Sequence, residues 1–552
     1  MFGQMQDKPL LISSLLEHAE RFHPEAEIIS KTVEGAIHRS NWCELGERAR
    51  RLAQLLASQG VKQGSMVATL ATNTHRHLEL YFAVMGLGAV LHTINPRLAP
   101  EQLDYIVNHA EDEFLFFDIC FAPLAERLHA HCPTIKRYVA MTDAATFAAT
   151  APAVPLLNCY EAMLADAQPA AGFAWPQFDE RSAASLCYTS GTTGNPKGVL
   201  YSHRSTMLHS LAVGMPDVMN ASATASILLV VPLFHVNAWG LPYAAAMTGT
   251  KLVLPGPHMD GASIYSLMRD EGVTLAAGVP TVWQMLFQYI DKHGLKPRED
   301  LCLKTAVVGG SAAPRAMIQR FDEEFGAFLL HAWGMTEMSP LGVICSLLPK
   351  HARLSAEQRY DVQMKQGRAV YGVQLRIVDE EGACLPHDGA ARGRLMVSGP
   401  WIVDSYFKAE GGSILDADGY FDTGDIATID ADGYINLVDR SKDVIKSGGE
   451  WISSIDLENT AVGHPAIAMA AVIGVPHAKW QERPLMLCVR KPGAEVDEAD
   501  MLEYLSSRVA RFWLPDQVLF VDTLPMTGTG KIYKLALRKQ YQQQLMAEGA
   551  PA

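Results

Sequence analysis

Tyr188-Thr189-Ser190-Gly191-Thr192-Thr193-Gly194-Asn195-Pro196-Lys197-Gly198 is the stretch whose reading decides the fold. Ala183-Ala184-Ser185-Leu186-Cys187 precedes it and Val199-Leu200-Tyr201-Ser202-His203 follows it, and both read as short strands. A glycine-rich loop between two strands can turn its amides toward one point. Backbone N–H groups bare of side-chain cover make a concave anion site, and hydroxyls add donors. A polyphosphate suits such a loop. A plain turn is the simpler reading of a Gly/Ser/Thr cluster, but the four hydroxyls at 189, 190, 192 and 193 and the lysine favour a ligand. The spacing is not that of a P-loop. That motif needs Gly-Lys followed by Ser or Thr at the head of a helix, whereas Lys197 here precedes Gly198.

Working outward, the 552 residues allow several domain-sized units, and 49% hydrophobic residues are enough for large cores. A formal net charge of −14 argues against general nucleic-acid binding, which wants a basic face. The nine cysteines are scattered without a C-x-x-C pair, which suits reduced thiols in a cytoplasm. The N-terminus has no cationic signal head. The longest apolar run, about Leu80 to Leu91, is short of the roughly 18 residues that cross a membrane and reads as a buried helix.

Along the chain, Leu15, Leu16, His18, Ala19 and Phe22 fit one helical face, and Arg48, Leu52, Leu55 and Leu56 another that ends near Gly60. Val67–Leu70 and Ala89–Thr93 read as strands around a helix. This βα alternation predicts a parallel sheet covered by helices. Residues 140–156 read as a loose surface connection. The hydrophobic run from Leu228 reads as a strand that delivers His235, Asn237 and Trp239 at a sheet end, where ligands bind in open α/β sheets. Thr305–Val308 reads as a strand running into Gly309-Gly310-Ser311, then a helix with Pro314 in its first turn. After Asp439-Arg440-Ser441-Lys442-Asp443 the last hundred residues alternate again: helix 455–462, strands 468–475 and 485–490, and a charged helix from Glu498 to Arg511.

The glycine-rich loop resembles the phosphate-binding signature of adenylate-forming enzymes, the group of acyl-CoA synthetases, adenylation domains and luciferases. Further stretches match that family in order. They are His331-Ala332-Trp333-Gly334-Met335-Thr336-Glu337, Thr423-Gly424-Asp425, Asp439-Arg440-Ser441-Lys442, Lys446-Ser447-Gly448-Gly449-Glu450-Trp451, and Pro525-Met526-Thr527-Gly528-Thr529-Gly530-Lys531. The chain departs from the family in minor loops, with Gly367-Arg368-Ala369-Val370-Tyr371-Gly372 and Gly393-Arg394-Leu395 where relatives often read G-x-P-x-P-G and G-E-L.

The resemblance implies an α/β fold: a large N-terminal domain with parallel sheets (1–439), a hinge (440–442, with Lys442 at the pivot), and a small mobile α/β C-terminal domain (443–552). It implies ATP, Mg²⁺ and CoA as ligands, a homodimer and cytoplasmic residence. By the match, Thr189, Ser190, Gly191, Thr192, Thr193 and Lys197 hold the phosphates. Gly310, Ser311, Trp333, Gly334, Met335 and Thr336 line the nucleotide, Trp333 flanking adenine and Thr336 the α-phosphate. Asp425 and Arg440 take the ribose. Glu337, with Thr189, holds Mg²⁺, Lys531 is the catalytic lysine, and Thr189, Glu337 and His235 complete the catalytic set. His235, Val236, Trp239, Gly309 and Gly334 line the acyl site, with Trp239 resembling the tunnel gate of fatty acyl-CoA synthetases. Lys446, Gly448, Gly449, Glu450 and Trp451 line the CoA path.

The reaction so implied has two halves. A carboxylate attacks the α-phosphate of ATP and expels pyrophosphate; CoA thiolate then attacks the acyl-adenylate and releases AMP. Medium-chain fatty acids are the expected substrates, with 3-(methylthio)propionate, a short thioether acid, as the alternative. A carrier-protein-loading adenylation enzyme is a further reading, but no acid stands at 235–239 to pair with an amino-acid ammonium. A luciferase-like oxygenase and a non-catalytic nucleotide-binding module are readings from other classes; intact Lys531, Glu337 and Asp425 speak against the second.

Overall fold

The computed structural model describes residues 1–552 apart from 2, 151, 155–156, 168–171, 190–194, 449, 478, 528–530 and 549–552, and apart from the side chains of 157, 450 and 542–548. It forms two compact units. The first comprises Met1–Val307, Gly334–Gly342 and Pro400–Ser413; the second comprises Val308–Trp333, Val343–Gly399 and Ile414–Ala552.

The first unit holds a seven-stranded sheet in the order Leu157–Cys159, Arg137–Met141, Phe114–Asp118, Met66–Leu70, Val90–Thr93, Ala183–Tyr188, Gly198–Ser202. All its pairings are parallel except the last. Phe114–Asp118 is buried at every position, the mark of a strand covered on both faces. One cover is the helix Ala122–His131, whose Ala125 and Leu128 share an apolar core with Leu115 and Phe117. A second sheet in this unit runs Leu275–Gly278, Ser226–Leu229, Lys251–Leu254, Glu27–Lys31, Ile37–Asn41, with the final strand antiparallel.

The second unit contains an antiparallel sheet of Gln374–Val378, Gly393–Ser398, Phe421–Ile429 and Ile435–Arg440. It also contains a C-terminal sheet of Glu450–Ile452, Ile445–Ser447, Gln481–Arg490 and Ile467–His477, with Gln517–Phe520 added in parallel. The helices Ser454–Val462 and Glu498–Ser506 close an apolar core there around Leu457, Ala461, Met486, Met501 and Leu505. The fold is thus α/β, as expected.

Several local expectations are corrected. In the helix Ser13–Phe22 the buried face is Leu15, Leu16 and Ala19, continuing from Ile12, while His18 and Phe22 are exposed. Positions 12, 15, 16 and 19 follow the 3.6-residue period and 18 falls off it, whereas 22 keeps the period but is the last residue of the helix. Residues 140–156 include a helix, Ala144–Thr150, with nothing fully buried; alanine propensity, the Asp143 side chain accepting from Thr146 N at 2.7 Å, and Phe147 packed against the neighbouring core form it. The strand before His235 stops at Leu229. Pro232 has no N–H for a ladder, and Asn73 replaces the sheet partners by donating to Leu229 O and Val231 O and accepting from Leu233 N. The charged helix ends at Ser506 instead of Arg511, where Ser506 and Ser507 hydroxyls bond to backbone carbonyls. The helix Lys534–Glu548 was not anticipated, because its apolar positions, such as Leu537 and Tyr541, are few among polar and charged ones.

Candidate nucleotide, acyl and lysine sites

In the first unit the strands Ala183–Tyr188 and Gly198–Ser202 form the hairpin that carries the glycine-rich loop, with Tyr188 opposite Gly198. Thr189 and Lys197 close its neck: Thr189 N donates to Lys197 O at 2.9 Å, and Lys197 N donates to Thr189 Oγ1 at 3.1 Å. Ser190, Gly191, Thr192 and Thr193 lie outside the described residues. The exposed Lys197 places Nζ 4.6 Å from the centroid of the Tyr406 ring. Tyr406 in turn donates its hydroxyl to Glu337 Oε1 at 2.8 Å.

Glu337 stands in the short turn Thr336–Met338 and is buried. Tyr201 OH donates to Thr336 O at 2.5 Å, and Val403 N donates to Glu337 O at 2.8 Å. Met335 N donates to Pro340 O, and a Cβ on Gly334 would come within 1.8 Å of that same oxygen, so no other residue fits there. Among the described residues no cluster of three or more His, Cys, Asp or Glu could hold a metal. One buried carboxylate still fits Mg²⁺, which commonly takes one or two protein carboxylates and completes its shell with phosphates and water.

The acyl candidates occupy an unusual backbone. Val236, Asn237, Ala238, Trp239 and Gly240 have φ of 42°, 51°, 48°, 58° and 77°. This is one turn of left-handed helix, which costs L-residues roughly 1–2 kcal/mol each. Burial and hydrogen bonds hold it. Asn237 Nδ2 donates to Ser185 Oγ at 2.7 Å, and Tyr81 OH donates to Leu233 O. At Gly240 a Cβ would stand 2.7 Å from the His209 ring. Trp239 and Val236 are buried, and His235 is half-buried with its N–H on Pro232 O. Asn237 lay in the stretch singled out from sequence but carried no assigned role. Its tolerance of left-handed backbone was the available signal. Tyr406 gave no sequence signal.

In the second unit Asp425 and Arg440 are register partners on adjacent antiparallel strands. Arg440 Nε pairs with Asp425 Oδ1 at 2.9 Å, and Trp333 Nε1 donates to Asp425 Oδ2 at 3.0 Å. Burial pushes the Asp425 carboxyl up; Arg440, the Trp333 hydrogen bond and the nearby Lys531 charge oppose it. Lys531 is thereby within electrostatic reach of Asp425. It sits on a narrow loop where Lys531 N donates to Thr527 Oγ1 at 3.1 Å and Tyr533 N donates to Pro525 O at 2.8 Å.

Gly309 is buried and Ser311 exposed where the strand Thr305–Val308 gives way to Gly309-Gly310. Lys442 is exposed in the turn between Arg440 and Ile445. Lys446 is exposed on a short strand, its N–H on Glu482 Oε2. Gly448 N donates to Trp480 O, and Trp451 O accepts from Arg392. Gly449 and the Glu450 side chain lie outside the described residues.

Comparison with known proteins matches residues 16–407 to the AMP-binding enzyme family and residues 456–531 to the AMP-binding enzyme C-terminal domain. A 3-methylmercaptopropionyl-CoA ligase of Ruegeria pomeroyi is 51% identical over 98% of this chain and 99% of its own. A medium-chain-fatty-acid–CoA ligase of Ectopseudomonas oleovorans is 48% identical over 98% of both chains. Among solved structures, an anthranilate CoA ligase in complex with anthranoyl-AMP superposes with a TM-score of 0.84 at 23% identity, covering 98% of this chain and all of that one.

Proposed function

The chain belongs to the AMP-binding enzyme family and is an AMP-forming acyl-CoA ligase that uses ATP and CoA, and from that premise we propose that its acid is an apolar carboxylate of medium chain length. The observation that carries the adenylating half is the Asp425 carboxylate, aimed by Trp333 and Arg440 with Lys531 in electrostatic reach. The acyl class rests on the buried Trp239, held on a left-handed turn among apolar neighbours. A second reading, 3-(methylthio)propionate, is favoured by two curated relatives named for that acid at 51% and 49% identity.

The proposed roles follow from charge. A carboxylate and a triphosphate are both anions, so catalysis is positioning and neutralisation. Thr189, Ser190, Gly191, Thr192, Thr193 and Lys197 hold the β- and γ-phosphates. Asp425 accepts the ribose hydroxyls, with Arg440 beside it. Gly310, Ser311, Met335 and Thr336 line the nucleotide. Glu337, with Thr189, would hold Mg²⁺, which supplies Lewis-acid screening of the leaving pyrophosphate. Lys531 neutralises the charge that builds at the α-phosphate as the acid attacks. His235, Val236, Trp239, Gly309 and Gly334 line the acid. Lys446, Gly448, Gly449, Glu450 and Trp451 line the CoA path.

The proposal divides the chain into 1–439, a hinge at 440–442, and 443–552. The end of a strand at Arg440 and the turn that follows support it. No described helix is long and apolar enough to cross a membrane. A cytoplasmic homodimer belongs to the proposal; exposed Leu200, Leu211 and Met215 on the first unit support an association surface, and a monomeric mass in sedimentation velocity would remove the dimer.

The deciding experiment measures pyrophosphate release and CoA thioester formation across straight-chain acids of increasing length, with 3-(methylthio)propionate included. A maximum at medium chains supports the first reading. A kcat/KM for the thioether acid above every fatty acid replaces it with the second. Pyrophosphate release from none of them sinks both.

A further inference from the structure

Lys197 and Glu337 are 140 positions apart in sequence, and one side chain touches both. Tyr406 donates its hydroxyl to Glu337 Oε1 at 2.8 Å and offers its ring to the Lys197 ammonium at 4.6 Å. It is 8% exposed, and Glu337 is 7% exposed. A tyrosine that only fills a core needs one acceptor for its hydroxyl and apolar cover for its ring. This one takes a carboxylate for the first and an exposed cation for the second. The arrangement is anchored at the backbone, because Val403 N donates to Glu337 O at 2.8 Å and Ser339 Oγ donates to Trp401 O at 3.1 Å. The segment that carries Tyr406 is therefore fixed against the turn that carries Glu337.

We propose that Tyr406 is a positioning residue for the adenylating half-reaction, orienting Glu337 toward the divalent cation and holding Lys197 ready for the phosphates. The inference rests on the reading of Glu337 as the metal carboxylate and Lys197 as a phosphate ligand. With Oε1 engaged by the hydroxyl, the carboxylate cannot spin freely, and Oε2 with the remaining lone pair of Oε1 is left for a cation. Outer-shell hydrogen bonds of this kind set ligand orientation and metal affinity. The ring acts on Lys197 differently. A cation over an aromatic face is held more weakly than one hydrogen-bonded to a phosphate, so the ring keeps the ammonium near its working place and yields it when ATP arrives. Local order of this sort reduces the entropy lost on binding.

The test uses the full-length chain and four variants, Tyr406→Phe, Tyr406→Leu, Glu337→Gln and Lys197→Ala, with a non-hydrolysable ATP analogue titrated by calorimetry at several Mg²⁺ concentrations. Tyr406→Phe keeps the ring and loses the hydroxyl. It should raise the Mg²⁺ concentration for half-maximal analogue binding on the order of tenfold, in the same direction as Glu337→Gln, and leave binding without metal unchanged. Tyr406→Leu loses both and should also weaken metal-free binding, in the direction of Lys197→Ala. A thermal melt confirms folding, and Tyr406→Phe decides alone if Tyr406→Leu does not fold. An unchanged Mg²⁺ dependence in Tyr406→Phe beside a shifted one in Glu337→Gln overturns the positioning role. An unchanged dependence in Glu337→Gln overturns the metal reading beneath it.

Discussion

Trp333 Nε1 and Asp425 Oδ2 are joined by a 3.0 Å hydrogen bond, although 92 positions separate them in sequence. With Arg440 on the other oxygen at 2.9 Å, the carboxylate has one protein donor on each oxygen. A carboxylate has about four lone-pair sites. Two remain, the number that a pair of vicinal ribose hydroxyls needs. The sequence motifs placed Trp333 at the adenine and Asp425 at the ribose as separate matches. Their hydrogen bond makes the indole a determinant of the aspartate's charge as well.

Trp333→Phe separates these contributions by keeping a ring and removing the donor. Burial already holds the Asp425 carboxyl above its usual range, and the Trp333 hydrogen bond opposes that rise. Removing the bond raises the pKa further, so the ionised acceptor is lost at higher pH than in the parent. The acidic limb of ATP binding should move to higher pH, and KM for ATP at neutral pH should rise by about tenfold, the worth of one hydrogen bond to a charged group. KM for ATP measured from pH 5 to 8 checks this. A limb at the parental pH with a raised KM would mean that the ring acts only as a flat surface.

Trp239→Ala tests the acyl turn. The left-handed backbone from Val236 to Gly240 is held by Asn237 and by burial, so removal of the indole should open space without unwinding the turn. Apolar contact is worth about 25 cal/mol per Å², enough to reorder relative kcat/KM along a chain-length series toward longer or bulkier acids. Asn237→Ala, in contrast, breaks the Ser185 bond and should lower the melting temperature while blurring the chain-length preference. A chain-length profile identical to the parent in Trp239→Ala would exclude the indole from the acid's wall.

How much of this was legible beforehand depends on what each feature is made of. The hairpin around the glycine-rich loop and the strand Met66–Leu70 are local patterns and fall where periodicity puts them, whereas the cross-strand pairing of Asp425 with Arg440, two separate motif positions, had no local signal. The left-handed turn was hidden because it opposes local preference. Val, Ala and Trp disfavour that backbone, and tertiary partners such as Ser185 and Tyr81 stabilise it. Tyr406 was hidden for a related reason, since its two partners are distant in sequence and a single tyrosine has no spacing to read. The helix Lys534–Glu548 has few apolar positions among many polar ones. It is fixed by Leu537 and Tyr541 in the C-terminal core, by Lys534 on Glu458 at 2.8 Å, and by Arg538 on Asp443 at 2.7 Å.

His209 should make the protein acid-sensitive. Its Nε2 accepts from Leu341 N at 3.2 Å, and burial holds its pKa down at about 3 against 6.5 for the free side chain. The folded pKa is depressed, so its stabilising contribution is complete above pH 6.5 and is lost as pH falls from 6.5 toward 3. Within that window each pH unit removes about 1.4 kcal/mol. His209→Gln offers an oxygen to Leu341 N and does not ionise, so its urea midpoint should fall less than the parent's between pH 7 and pH 5. Parallel curves for the two proteins would show that His209 does not titrate as its burial requires.

Lys531→Ala separates the two half-reactions. The lysine is half-buried, fixed by the Thr527 and Tyr533 contacts on its loop, and close enough to lower the Asp425 pKa. In the proposed role its charge acts when the acid attacks the α-phosphate, because negative charge builds there as pyrophosphate leaves. When CoA attacks the finished acyl-adenylate, that build-up is past and the leaving group is AMP. Adenylation should therefore fall by something on the order of 10²–10³-fold, the usual effect of deleting one preorganised donor, while thioester formation from supplied acyl-adenylate falls far less. A lysine that binds CoA phosphates predicts the reverse ratio, and a purely structural lysine predicts a lowered melting temperature with both halves reduced alike. Pyrophosphate release and thioester formation, measured separately on the purified variant with its thermal melt, distinguish the three. Equal loss in both halves at an unchanged melting temperature would refute the assignment of Lys531 to the adenylating step and, with it, the pivot at Lys442 that brings a different face of the C-terminal domain to the second.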